Sequence, residues 1–114
     1  MNDSKNRRKF ARIALATQVK VVFREEEQRN LMILQNLSEG GLFLESDVLK
    51  PIGTLLDFEF RVQDGGLPII GKGIVRWLEE DPTHRKGMGI KFVELNDEGR
   101  EVISKLYQKF QNNA

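Results

Sequence analysis

Three arginines in Arg7-Arg8-Lys9-Phe10-Ala11-Arg12 carry the first chemistry this chain offers. A guanidinium is a planar fork of donors, so it grips phosphate oxygens in pairs and lies flat on a purine face. The second chemistry sits in Asn36-Leu37-Ser38-Glu39-Gly40-Gly41, an Asn-x-Ser-x-x-Gly pattern. Its carboxamide and hydroxyl supply donors and acceptors, and a glycine without Cβ lets a ligand approach the backbone. Brought together by folding, the two would make a pocket for a guanine nucleotide carrying phosphates.

The elements that must position them are strands. Residues 13–23 alternate, with Ile13, Leu15, Val19, Val21 and Phe23 on one face and Thr17 interrupting. Arg24 to Arg29 is a charged turn region, and a second strand spans about Leu31 to Asn36. If these two pair as a hairpin, Arg12 at the start of one lies beside Asn36 at the end of the other. A basic terminal segment alone is usually a solvated tail, and Asn-x-Ser before Gly-Gly alone is usually turn chemistry. Their meeting at one end of a hairpin is what favours a site.

Beyond Gly40-Gly41 a short strand runs from Leu42 to Glu45, and Lys50-Pro51-Ile52-Gly53 turns the chain. Thr54 to Val62 alternates with Leu56, Phe58, Phe60 and Val62 on one face; Asp64-Gly65-Gly66 makes the next hairpin. Pro68 to Leu78 follows, with Gly71 and Gly73 marking a bend or bulge, then a polar loop from Glu80 to Lys86 and a strand from Gly87 to Val93. The period then changes. Val102, Ile103, Leu106, Tyr107 and Phe110 form one helical stripe, with Asn96 as N-cap and Asp97 and Glu98 in the first turn. Six strands and a terminal helix predict a mainly β fold, a small antiparallel barrel closed or capped by that helix.

Charge distribution separates the arm from the body. Residues 1–12 hold five basic residues against one acid, a surplus of +4; net charge is +1, so the remainder carries −3. The expected division is a flexible basic arm over residues 1–11 and a barrel domain with its helix over 12–112. The absence of cysteine removes disulfides and thiolate metal sites and fits a cytoplasmic, reducing setting. The basic N-terminus is not followed by an apolar segment that would make a signal peptide, and no apolar run reaches membrane-spanning length.

In these motifs the chain resembles the PilZ domain family, bacterial receptor modules for cyclic di-GMP. Arg8 and Arg12 match the family's Arg-x-x-x-Arg, preceded by Arg7 as is frequent there. Asn36, Ser38 and Gly41 match its Asp/Asn-x-Ser-x-x-Gly. Gly73-Ile74-Val75-Arg76-Trp77 and Gly87-Met88-Gly89-Ile90-Lys91-Phe92 resemble two further strands of the family, so the likeness spans about residues 7–110.

The resemblance implies a six-stranded barrel, no catalysis, no cofactor or metal, and cyclic di-GMP as ligand, often as an intercalated dimer. It implies that the arm folds over the ligand, with Arg7, Arg8 and Arg12 on phosphates and guanines. Asn36 and Ser38 would read a guanine, with Gly41 leaving room. Gly40 and Trp77 are secondary candidates, although a large aromatic on a barrel strand more commonly joins the core. Many members carry aspartate where this chain has Asn36; the amide offers one acceptor oxygen where a carboxylate offers two. The expected role is a stand-alone receptor whose ordered arm alters a surface for an effector protein.

Other classes fit less well. A ligand-independent adaptor of the same fold conflicts with the intact arginine motif. A nucleic-acid-binding barrel conflicts with the near-neutral charge and few aromatics, so no DNA partner is expected. His84 is the sole histidine, in a polar loop, which leaves no zinc set and no Ser–His–Asp arrangement.

Overall fold

Alternation of apolar and polar residues is what closes this sheet on itself. The structure, a computed structural model, describes residues 13–80 and 86–112. Its strands are β1 (Ile13–Phe23), β2 (Asn30–Leu37), β3 (Gly41–Glu45), β4 (Leu55–Phe60), β5 (Ile69–Glu79) and β6 (Gly87–Leu95), followed by helix α1 (Asp97–Asn112). All neighbours pair antiparallel in the order β1-β2-β3-β6-β5-β4, and β4 returns to β1 to close the barrel. Among the described residues every strand has a neighbour on both sides, β1 meeting β4 over Lys20–Phe23.

One side chain in two from each strand fills the interior. Val19, Val21 and Phe23 of β1, Leu56, Phe58 and Phe60 of β4, and Val75 of β5 are buried, as are Leu44 and Met88. In β2 the buried positions are Met32, Leu34 and Leu37, a step of two and then of three. The extra residue is a bulge: Leu34 pairs with Leu44 but Asn36 with Phe43, so Gln35 is the additional residue in the β2–β3 register. The bulge changes the phase of alternation, so Leu37 turns inward and Asn36 outward.

Two pins hold α1 across one end of the barrel. At its start, Asn96 caps the helix: its Oδ1 accepts from Gly99 N at 3.1 Å and also from Ile70 N at 2.9 Å, while its Nδ2 donates to Pro68 O at 3.0 Å. Ile103 and Tyr107 then enter the core, with Val102 and Leu106 packed against it. Further along, the Tyr107 hydroxyl accepts a 3.1 Å hydrogen bond from Glu39 N in the β2–β3 turn. The sheet closes without the helix, which therefore acts as a cap. The Phe110 side chain lies outside what is described.

The turns match their residues. Glu25, after β1, adopts φ +74°, and Gly53 and Gly65 adopt φ +98° and +76°, where glycine carries no Cβ penalty. Strand bounds move modestly from those read in the sequence: β4 ends at Phe60 rather than Val62, and β6 runs on to Leu95.

Candidate functional site

The β1–β2 hairpin forms as its residues suggest. Ile13 pairs with Leu37 and Ala14 with Asn36, so the residue following Arg12 in sequence stands beside the Asn36–Gly41 corner. Arg7, Arg8 and Arg12, the expected 1–11 arm, and His84 lie outside the described residues.

Asn36, Ser38, Gly40, Gly41 and Trp77 line one cavity of about 400 Å³, together with Arg76, Ile90 and Lys91. Register explains the assembly. Asn36 pairs with Phe43, Phe43 with Gly89, and Gly89 with Trp77, one row across four strands whose side chains share the outer face. The adjacent row, Leu37–Leu42–Ile90–Val75, points inward and is buried throughout. An outer row of one amide and two aromatic rings thus lies directly beside a row of the core.

Bulges crowd around this row. Gln35 is the extra residue between β2 and β3. The β1–β2 register shifts between Ala14 and Thr17. In β5, Val75 pairs with Ile90 and Trp77 with Gly89, leaving Arg76 extra. A bulge re-aims side chains that strict alternation would send to opposite faces. Arg76 and Trp77 are consecutive, yet both are exposed.

Trp77 is 38 % exposed and belongs to the outer wall, which corrects the expectation that a barrel tryptophan joins the core. Its ring stacks on Phe43, with centroids 6.4 Å apart and planes 25° from parallel. Both rings lie over bare backbone. A Cβ on Gly89 would overlap the Trp77 indole, and one on Gly87 would overlap the Phe43 ring. The Gly-Met-Gly run of β6 is thus the bed of an aromatic platform.

The Asn-x-Ser-x-x-Gly corner is a tight turn. Ser38 N donates to Gly41 O at 2.8 Å; Ser38 Oγ donates to Gly41 O and accepts from Gly41 N, each at 3.1 Å. Ser38 therefore has a local duty before any ligand arrives, and one lone pair to spare. The reason for Gly41 also differs from the one read in the sequence. A Cβ there would overlap Ile90 O, so the close approach of β6 forbids a side chain. Gly40, by contrast, has open space around its Cα and gives its carbonyl to Phe92 N at 2.9 Å. Among the described residues, the Asn36 carboxamide has no hydrogen-bond partner, and neither Arg76 nor Lys91 is ion-paired.

Sequence reasoning did not single out Arg76, Lys91 or Phe43. A bulge cannot be seen in a linear alternation, so Arg76 counted as an ordinary strand residue. The signal available was the Gly-x-Gly of β6, since bare positions on a strand imply that something bulky lies over them.

The class of protein is set by a closed six-stranded barrel with a terminal helix and an outward cavity lined by Asn36, Ser38, Arg76, Trp77 and Lys91. The PilZ domain family model matches residues 6–109, and the chain belongs to that family. PilZ domains form a cyclic di-GMP-binding fold family of ligand-binding and adaptor domains rather than enzymes. Among curated proteins there is no match in sequence.

Solved structures share the fold at low identity. The Bacillus subtilis inhibitor of motility (MotI/DgrA) superposes with TM-score 0.76 at 17% identity, covering 92% of this chain and 51% of that one. The PilZ domain of YcgR from Escherichia coli, solved with c-di-GMP, gives TM-score 0.68 at 14% identity, covering 94% and 93%. A tetrameric PilZ domain protein from Xanthomonas campestris gives 0.55 at 16%, covering 79% and 50%. The chain spans about half the length of the first and third of these.

Proposed function

We propose that this chain is a cyclic di-GMP receptor acting in the cytoplasm. Arg7, Arg8 and Arg12 close over the ligand, gripping its phosphates and stacking on guanines, and the ligand binds alone or as an intercalated dimer. Asn36 and Ser38 meet a guanine edge in the cavity. Ordering the arm reshapes the surface that an effector protein reads, a disorder-to-order switch.

The observation that carries this reading is the pairing of Ala14 with Asn36. Arg12 precedes Ala14 by two residues in sequence, so the arginine motif adjoins that pair along the chain. The other support is chemical: an unengaged carboxamide, the indole of Trp77, itself stacked on Phe43, and two unpaired cations line the same cavity. The YcgR domain of like fold was solved with c-di-GMP, which fits the same ligand class.

Titration calorimetry with pure cyclic di-GMP tests it and reports ligands per chain. Arg8→Ala and Arg12→Ala should weaken binding far more than Lys5→Ala. No heat from folded protein at high micromolar ligand would sink the reading, and equal small losses from all three would reduce the arm to diffuse charge.

A second reading, a ligand-independent adaptor, draws on one observation: Ser38 and Gly41 are both explained by the turn and the β6 contact alone. Partner capture that is identical with and without cyclic di-GMP would favour it.

A further inference from the structure

The bulge in β5 delivers a cation that the arm does not supply. Val75 is fully buried and pairs with Ile90; Trp77 faces outward and pairs with Gly89; Arg76 between them is the unpaired residue. Without the extra residue, Arg76 would take the register position opposite Gly89 and Trp77 would turn to the interior. With it, guanidinium and indole emerge side by side on the cavity wall. Lys91 is on the adjacent strand, paired with Ile74 on one side and with Gly41 of the turn on the other. Arg76 and Lys91 thus stand on neighbouring strands, Arg76 two residues beyond Ile74, the register partner of Lys91. Among the described residues no carboxylate pairs with either. Two uncompensated cations flanking a cavity attract an anion, and the guanidinium fork suits a phosphate.

We propose that Arg76, with Lys91 beside it, is a fixed phosphate-gripping residue of this site, holding a phosphate of the bound nucleotide against the barrel wall independently of the arginine arm. This rests on the reading of the cavity as a cyclic di-GMP site. Arg76 is carried on a strand whose neighbours on both sides are already placed, so its backbone loses no freedom when it holds a ligand.

Calorimetry on the full chain decides it, with wild type, Arg76→Gln, Arg76→Lys, Lys91→Gln and Lys72→Gln titrated with cyclic di-GMP at two salt concentrations. Lys72 is the control, since it is exposed on the same strand, 3.9 Å from Glu94, and outside the cavity. Thermal melts of each variant confirm that the barrel is intact. Arg76→Gln should weaken binding on the order of ten- to hundredfold and flatten the salt dependence; Lys91→Gln should weaken it less, and Lys72→Gln not at all. Arg76→Lys should recover only part, because an ammonium cannot make the bidentate grip. If wild type binds and Arg76→Gln matches Lys72→Gln, Arg76 has no such role while the receptor reading stands. If wild type gives no heat, both fall together.

Discussion

Asn36 and Trp77 stand on one register row of the barrel, joined through the pairs Asn36–Phe43, Phe43–Gly89 and Gly89–Trp77. Three strand steps of about 4.8 Å separate them, and Gly89, the neighbour of Trp77, carries no side chain. The Trp77 indole takes up the space over Gly89, and Asn36 and Trp77 both line the cavity. Residues distant in sequence therefore become opposite walls of one site through sheet pairing alone.

The indole leaves no room for a side chain at position 89. A methyl group at position 89 would overlap the Trp77 indole, so Gly89→Ala must tilt the ring off β6 and away from Phe43. Overpacking of this kind costs about 1–3 kcal/mol. Trp77 is the sole tryptophan, so its emission reports the displacement directly. An unchanged spectrum and unchanged urea midpoint would mean that the ring does not rest on Gly89.

The helix contact with the turn is separable from the helix cap. Tyr107→Phe keeps the buried ring but removes the acceptor for Glu39 N. The expected loss is about 1 kcal/mol, the net worth of one hydrogen bond. Amide exchange at Glu39 should quicken while Gly99, held by Asn96, stays protected. Equal exchange at Glu39 in both proteins would argue against the bond.

Glu25 is the one non-glycine residue with positive φ among those described. The left-handed conformation costs an L-residue roughly 1–2 kcal/mol, and glycine gives back part of that gain through its freer unfolded chain. Glu25→Gly should raise stability by about 0.5–1 kcal/mol in a denaturant titration. The turn lies at the barrel end opposite the cavity, so ligand affinity should not move. A lower midpoint would show that Glu25 is stabilised by something other than its backbone.

Asn36→Asp tests the proposed contact of Asn36 with a guanine edge. A carboxylate accepts from both N1–H and the exocyclic amine, while the amide offers one acceptor and a mismatched NH₂. Gaining that second acceptance is worth roughly 1–3 kcal/mol, so cyclic di-GMP should bind about ten- to hundredfold tighter by calorimetry. Cyclic di-AMP, which lacks that donor pair, should gain nothing. Equal tightening of both ligands would place Asn36 away from the base.

Much of the molecule is legible in one dimension because its signals are local. Alternation over Val19–Phe23 and Leu56–Phe60 marks half-buried strands without reference to any neighbour. The Asn96 cap and the Ile103–Tyr107 stripe mark the helix for the same reason. A hairpin is the shortest-range tertiary contact, so the approach of Ala14 to Asn36 could also be read.

Non-local pairing decided the rest. That Gly41 is required by Ile90 O, that Gly87 and Gly89 bed two aromatic rings, and that Trp77 faces outward all depend on β6 lying between β3 and β5. Bulges are the physical reason the sequence could not show this. One extra residue inverts the facing of everything beyond it, and its presence is defined only against the partner strand. The sequence by itself determined which residues could hold an anion and a base. Only the closed barrel decided that Arg76 and Lys91 line one cavity with Asn36 and Ser38.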